Sequence, residues 1–470
     1  AMQTAQIESI SATEQAKIDI AQGPLIRAVH FTLGKGKPGR LMLAAHHLAI
    51  DGVSWRILLE DLEAAYSALA QGRPVNLPPH SSSFQAHAAR LAAYARDPHV
   101  TATAPAWLRM LDTPAAALPV VSHETSLEAE VTSLTVELDP TETTALLQDV
   151  PTAYRTQIND ALLTALASAL RKTTGGTSFL IEMEGHGRED IGAGLDLSRS
   201  IGWFTSLFPL RLDLKADASV GSALKSIKEQ TRAIPDRGLS YGLLRYNAED
   251  ATVRTKLASA QRPQILFNYL GQFDQVTRDS SLFAFAPESA GPWHAPQNKR
   301  THALEVLAQI RSGKLSVEWI FGEKQIARAT VEQLASDFIA QLKAIIRHCR
   351  KPQNAGRTPS DFPLLSLTQD QVDDLWGNYP SFGDAYPLTP MQRLFHVMEQ
   401  AGSSVGLEQW QFRIEGGLEP ALLRQAFGQA IARHPILRSA FATLPNGEPI
   451  QVVLPEATLP WREEDWRHLN

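Results

Sequence analysis

Between Ala45 and Trp55 the chain changes its hydrophobic rhythm. Two short apolar runs, Leu25 to Phe31 and Leu41 to Ala45, flank Gly34-Lys35-Gly36-Lys37-Pro38-Gly39, a turn composition that joins neighbouring strands. The second run leads into His46. Apolar residues then recur at Trp55, Leu58, Leu59, Leu62, Tyr66 and Leu69, the spacing of a helix with one buried face, and Gly72 ends it. A hairpin feeding directly into a long amphipathic helix requires a layered α/β arrangement.

The same alternation continues downstream. Residues 73 to 118 mix Pro, Ser and Ala-rich helical pieces and read as a crossing connection. Ser133 to Leu138 alternate as a strand, Ile158 to Leu170 as a helix, and Gly175-Gly176 opens a strand from Ser178 to Glu184. Leu334 to Ile346 is strongly amphipathic, and Lys351-Pro352 breaks it. Residues 351 to 384 show few periodic positions and read as an ordered but largely irregular connector. Helical patterning returns at Pro390 to Met398 and Pro420 to Ala432, with a strand-like segment at Gln409 to Ile414. At about 150 residues per domain, 470 residues imply two or three folding units.

Composition removes several classes of function. A hydrophobic fraction of 44% and a charged fraction of 20% suit a packed globular chain, not a disordered one. The formal net charge of -6 gives no electrostatic reason to bind nucleic acid or an anionic membrane. No apolar run approaches the roughly 18 residues of a membrane span, and Ala1-Met2-Gln3-Thr4 is no signal peptide, so residence in the cytoplasm is expected. Cys349 is the single cysteine; it can form no internal disulfide and reads as buried filler. The first and last residues open and close no recognisable domain, so the chain reads as a segment of something larger.

Two clusters carry groups capable of chemistry. His46-His47-Leu48-Ala49-Ile50-Asp51-Gly52 lies at the strand-to-helix junction, where turns display side chains. An imidazole there can exchange a proton near neutral pH, or the pair can be structural; Asp51 either orients a histidine or bonds a partner segment. A metal site needs three or more ligands, which one His pair does not supply, so no metal is expected. In the second cluster, Glu182 and Glu184 share one face of a strand, and Glu184 stands last before Gly185-His186-Gly187-Arg188-Glu189. It is either an acid or base projecting into a cleft, with its pKa raised by desolvation, or part of a solvated charged edge. Ile201 to Leu210 and Phe267 to Phe273 are aromatic segments that suit a core as well as a site.

Together these segments resemble one family. The His-His-x-x-x-Asp-Gly pattern at His46 to Gly52 is similar to that of the condensation superfamily of nonribosomal peptide synthetases, related in fold to chloramphenicol acetyltransferase. Its continuation through Val53-Ser54-Trp55-Arg56-Ile57-Leu58, with Glu184 to Glu189 and Gly202-Trp203-Phe204-Thr205, resembles the epimerization branch. The resemblance implies a two-lobed α/β fold in a V-shaped arrangement with a tunnel between the lobes. The family's usual opening, Pro-Leu-Thr-Pro-x-Gln, is absent from the start, which makes the first lobe N-terminally truncated. Tyr386-Pro387-Leu388-Thr389-Pro390-Met391-Gln392 and Arg433 to Phe441 resemble the first third of a further condensation domain. The implied organisation is a partial first lobe at 1–125, a second lobe at 126–349, a linker at 350–384 and the start of a condensation domain at 385–470.

The resemblance also implies an activity. An aminoacyl or peptidyl thioester, presented on the phosphopantetheine of an upstream peptidyl carrier protein, is inverted at its α-carbon with no intrinsic cofactor. Neighbouring synthetase domains are the other expected partners. His47 and Glu184 are the expected proton-transfer pair, with His46, Asp51 and Gly52 in support and Glu189 as a reserve acid. Asn268 and Tyr269 are expected to line the tunnel or polarise the thioester oxygen. Peptide-bond formation, or service as an inactive interaction fragment, are the alternatives.

Overall fold

The computed structural model describes residues 2–192, 194–272, 282–402 and 406–468. The chain divides into two compact units, Ala1–Gln148 with Gln157–Ile346, and Asp149–Thr156 with Arg347–Asn470. Among the described residues no helix is long and apolar enough to cross a membrane.

In the first unit, β1 (Ile26–Phe31) and β2 (Arg40–Ala45) form the expected antiparallel hairpin, with Phe31 opposite Arg40 at the turn and Ile26 opposite Ala45 at the open end. The chain turns through His46 to Ile50 and enters the helix Gly52–Ala70, whose N-cap is Asp51. The crossing connection carries three short helices, Phe84–Tyr94, Pro98–Ala102 and Ala104–Asp112.

A six-stranded mixed sheet forms the centre of this unit. Its strands are β3 (Val131–Glu137), β4 (Ser178–Gly185), β5 (Ser206–Asp213), β6 (Ile265–Gln272), β7 (Leu304–Arg311) and β8 (Lys314–Gly322), in the order β3-β8-β7-β6-β4-β5. The joins of β6 to β4 and to β7 are parallel; the others are antiparallel. Residue alternation divides its faces. Phe179, Ile181, Met183, Ile265, Phe267, Val306, Val317 and Trp319 are buried on one side. Against the core stands the helix Ile158–Thr174, buried almost continuously from Ala161 to Leu170, and the helix Arg328–Cys349, whose Phe338 meets Trp319 edge-on at 5.7 Å. Each such buried side chain stabilises the fold by about 1.5–3 kcal/mol. Gly175 ends the first of these helices in the left-handed conformation, φ 74°, donating its N–H to the Arg171 carbonyl. The other sheet face carries Glu182, Glu184, Asn268, Glu305 and Glu318, which are only half-buried.

The second unit holds a three-stranded antiparallel sheet, β10-β11-β9, made of β9 (Asp384–Pro387), β10 (Ser439–Thr443) and β11 (Pro449–Val453). The helices Pro390–Gln400 and Pro420–Arg433 fall where helical patterning predicts them. Two expectations fail here. The segment 351–384, read as largely irregular, contains the helix Gln369–Asn378, and Phe362, Leu367, Val372, Leu375 and Phe382 form one core with Ile450 and Val452. The helix was legible: Thr368 and Gln371 make a capping box, and Val372, Leu375 and Trp376 recur at three and four residues. Conversely, residues 409–414 form no strand, because alternation alone makes none without a neighbouring backbone to bond.

Phe362 and Phe382 stack with ring centroids 5.1 Å apart. Phe362→Ala is expected to cost about 3–5 kcal/mol and to open residues 362–382 to limited proteolysis. Native-state cleavage of the unaltered chain within that segment would contradict this packing.

Candidate active site

His46 and His47 are carried on the turn that leaves β2. The His46 backbone N–H donates to the Leu25 carbonyl at 2.8 Å, and that of Ala49 to the His46 carbonyl at 2.9 Å. The His46 Nδ1 accepts the Leu48 N–H at 3.2 Å, which fixes its ring and leaves Nε2 as the protonated nitrogen of the neutral form. His47 is exposed, and its imidazole rests against the Trp203 indole, centroids 5.1 Å apart. Gly52, exposed, is the first residue of the following helix.

Asp51 is buried and serves two structural ends at once. It caps the helix by accepting the Ser54 N–H at 2.8 Å, and it accepts Arg188 Nη2 at 3.2 Å on one oxygen and 3.4 Å on the other. The Phe204 N–H adds a bond at 3.2 Å. Arg188 Nη1 donates to the carbonyls of Leu197 and Ser200 at 2.7 and 3.0 Å, and its guanidinium lies 4.0 Å above the Phe204 ring. Ser54 Oγ completes the knot, 2.7 Å from Asp51 and 3.0 Å from the Gly202 carbonyl. Of its two expected duties, Asp51 thus performs the bonding of a partner segment.

The glycines of the second cluster are required by this packing. At Gly187, φ is +64° and an added Cβ would fall 1.6 Å from the Phe204 carbonyl oxygen. At Gly202 it would lie 2.3 Å from the Phe84 ring. Only glycine fits either place.

Glu184, near the end of β4, is half-buried and accepts Asn268 Nδ2 at 2.5 Å. Burial raises its pKa above the ordinary carboxylate value; His47 is near enough for its positive charge to oppose the rise, Glu305 and Glu182 add to it, and His302 opposes it. Two residues back on the same face, Glu182 meets His302 Nε2 at 2.7 Å.

The structure therefore brings His47, Glu184 and Asn268 into one neighbourhood, and Asn268 is engaged with the carboxylate. Tyr269 is placed otherwise. As the next strand residue it falls with Phe267, opposite Ala308, on the reverse face from Glu184, and burial pushes its phenol up to about 12. Glu189 pairs with His186 at 3.2 Å and with Arg237 at 3.1 Å. Sequence reasoning missed Arg188, although a carboxylate on the buried face of a helix start calls for a cation, and Arg188 stands inside the quoted motif. It missed Trp203 as the support of His47, and His302 carried no signal at all. Among the described residues no group of three or more His, Cys, Asp or Glu is placed to hold a metal ion.

The condensation domain family matches residues 1–367 and 383–470. The chain is 40% identical over 474 residues to a component of the linear gramicidin synthase of Brevibacillus parabrevis, an alignment that covers all of this chain and 6% of that protein. It is 35% identical over 449 residues to bacitracin synthase 3 of Bacillus licheniformis, covering 94% of this chain and 7% of that one. The chain thus spans only a small part of these relatives. Among solved structures, the epimerization domain from the third module of tyrocidine synthetase B aligns with TM-score 0.69 and 35% identity, over 74% of this chain and 77% of that one. The X-domain from teicoplanin biosynthesis, at 19% identity and TM-score 0.53 over 73% and 77%, shares the fold alone. The chain belongs to the condensation domain family, as an epimerization/condensation-superfamily domain of nonribosomal peptide synthetases. Its mixed sheet and helices are those of the chloramphenicol acetyltransferase-like fold.

Removing one partner of a buried ion pair leaves the other charge uncompensated, at a cost of about 3–5 kcal/mol. Asp51→Ala is expected to lower stability to chemical denaturation by that amount, whereas His47→Ala, at an exposed ring, is expected to change it by less than about 0.5 kcal/mol. Equal losses in the two variants would contradict the assigned roles.

Proposed function

We propose that this domain epimerizes the α-carbon of an aminoacyl or peptidyl thioester carried on the phosphopantetheine of an upstream carrier protein. The observation that carries this reading is the meeting of an exposed imidazole, His47, with a desolvated carboxyl group, Glu184, from well-separated parts of the unit's sequence.

The thioester carbonyl acidifies the α-proton. One group takes that proton, the C–H electron pair moves into an enolate, and the other group returns a proton to the opposite face of the carbon. No further cofactor enters the balance. An L substrate and a D substrate use the pair in opposite senses, so either residue is base in one direction and acid in the other. Asn268, donating to Glu184 Oε2, orients the carboxylate. Asp51 and Arg188 hold the two motifs together, and His46 holds the turn. The partners of this reading are the carrier protein and neighbouring domains of a cytoplasmic synthetase.

Carrier-loaded L-aminoacyl thioester in deuterated water provides the test. The intact chain is expected to place deuterium at the α-carbon, and His47→Ala and Glu184→Gln each to slow this at least about 100-fold. Dipeptide formation without α-exchange would favour peptide-bond synthesis; a folded chain with neither activity would favour an interaction fragment.

The pH dependence follows from the pair. Both directions need one proton shared between the two groups, so both are expected to show one bell-shaped profile. Because burial raises Glu184, the acid limb should have its midpoint above the ordinary 4.5. Activity then falls as pH drops through that midpoint and the carboxylate is lost. A midpoint at or below 4.5 would contradict the burial argument.

A further inference from the structure

Between the helices Val220–Arg232 and Leu239–Asn247 the chain passes through the turn Pro235–Gly238, where two successive non-glycine residues are left-handed. Asp236 has φ 45° and ψ 34°, and Arg237 has φ 50° and ψ 31°. In that conformation an L side chain crowds the carbonyl oxygen that follows it, so one such residue is uncommon and two in succession need a cause. Asp236 adds a second anomaly, since its Oδ2 is buried with no hydrogen-bond partner among the described residues.

The ion pairs of the turn do not supply that cause through stability. Asp236 Oδ1 meets His99 Nε2 at 2.7 Å, and Arg237 Nη1 donates to Glu189 Oε2 at 3.1 Å, but the His99 and Arg237 side chains are 67% and 80% exposed. Pairs so open to solvent contribute little to the folded state. What they fix is location. The turn lies against the end of β4: a Cβ on Gly185 would fall 3.6 Å from the Arg237 carbonyl oxygen and 2.7 Å from Ser206 Oγ. One on Gly238 would fall 2.0 Å from the ring of Phe208, which stands opposite Met183 on β5.

We propose that Asp236 and Arg237 form a strained brace on residues 184–189, with Arg237 a positioning residue that acts through Glu189 to aim the Glu184 carboxyl group. The inference rests on the epimerase reading for its purpose. Each polar side chain of the braced segment is tied. Glu184 accepts Asn268, and Arg188 is bound to Asp51. His186 accepts the Arg188 N–H on Nδ1 at 3.0 Å, which leaves the protonated Nε2 of the neutral ring facing Glu189 Oε1 at 3.2 Å. Glu189 thus has His186 on one oxygen and Arg237 on the other, and through Arg237 the segment is joined to the turn. Strained backbone persists where the surrounding structure holds it, and here it holds the chain that carries the proton-transfer carboxyl group.

If the turn serves position, rate and stability part company. Arg237→Gly removes the guanidinium and suits the left-handed backbone, so its melting temperature is expected to equal or exceed the parent's. Its kcat for α-proton exchange on a carrier-loaded thioester should nevertheless fall about tenfold, with KM within about twofold of the parent's. Arg237→Lys, which can make the same single bond to Glu189, should recover most of the rate. Glu189→Gln should match Arg237→Gly, and the double variant should lose no more than either alone, since the two residues act as one unit. A melting temperature that falls together with the rate would make the turn merely structural. Unchanged kcat in Arg237→Gly, or a loss confined to Glu189→Gln, would equally overturn the brace. Amide hydrogen exchange gives a readout free of activity: peptides covering residues 184–189 should exchange about tenfold faster in Arg237→Gly, and those covering 178–183 at the parent's rate. That difference in a chain that exchanges no α-proton would sink the epimerase reading and leave the brace; α-proton exchange without it would do the reverse.

Discussion

The buried contact between Asp51 and Arg188 organises what surrounds it. Neither charge could remain where it is without the other; Arg188 also donates to the Leu197 and Ser200 carbonyls, and Asp51 also accepts the Phe204 N–H. Asp51 is also a helix cap, so the direction of the helix Gly52–Ala70 and the attitude of the preceding turn are tied to the loop behind β4. His47 inherits its location from that tie, and Trp203, next to Phe204, supplies the surface on which its ring rests. His47 is thus placed by a buried charge pair on neighbouring segments.

Glu184 illustrates the opposite use of burial. Asp51 is satisfied by several donors including a cation, whereas Glu184 has one neutral amide against it. The first environment surrounds a carboxylate with donors from several segments; in the second, burial raises the pKa of the carboxyl group. Two carboxylates within one unit are thereby given different work by their surroundings.

Much of this is legible in the amino-acid order. The hairpin, the turn and the helix that follow one another from Ile26 to Ala70 are written in apolar spacing and turn residues, as is the entry of Gly175 into β4. Period-two reasoning places Glu182 with Glu184. The same rule separates Tyr269 from Asn268, although the family resemblance puts both at the tunnel. What escapes is long-range. Which cation meets Asp51, and which histidine meets Glu182, depends on tertiary pairing across many residues that no local pattern encodes. In the second unit, a scarcity of periodic positions hides a core, since Phe362 and Phe382 are isolated in sequence and meet only when folded. Trp410, Phe412 and Ile414 err the other way, with a strand's rhythm and no strand.

The alternation in β4 has a further consequence. Met183 is buried between Glu182 and Glu184, which face the other way. A pairing error of one residue would drive two carboxylates into the hydrocarbon layer and lift a methionine out of it, an exchange too unfavourable to persist. Misregistered sheets are therefore self-rejecting at this strand, and the aim of the Glu184 carboxyl group is proofread by the folding of the sheet that carries it.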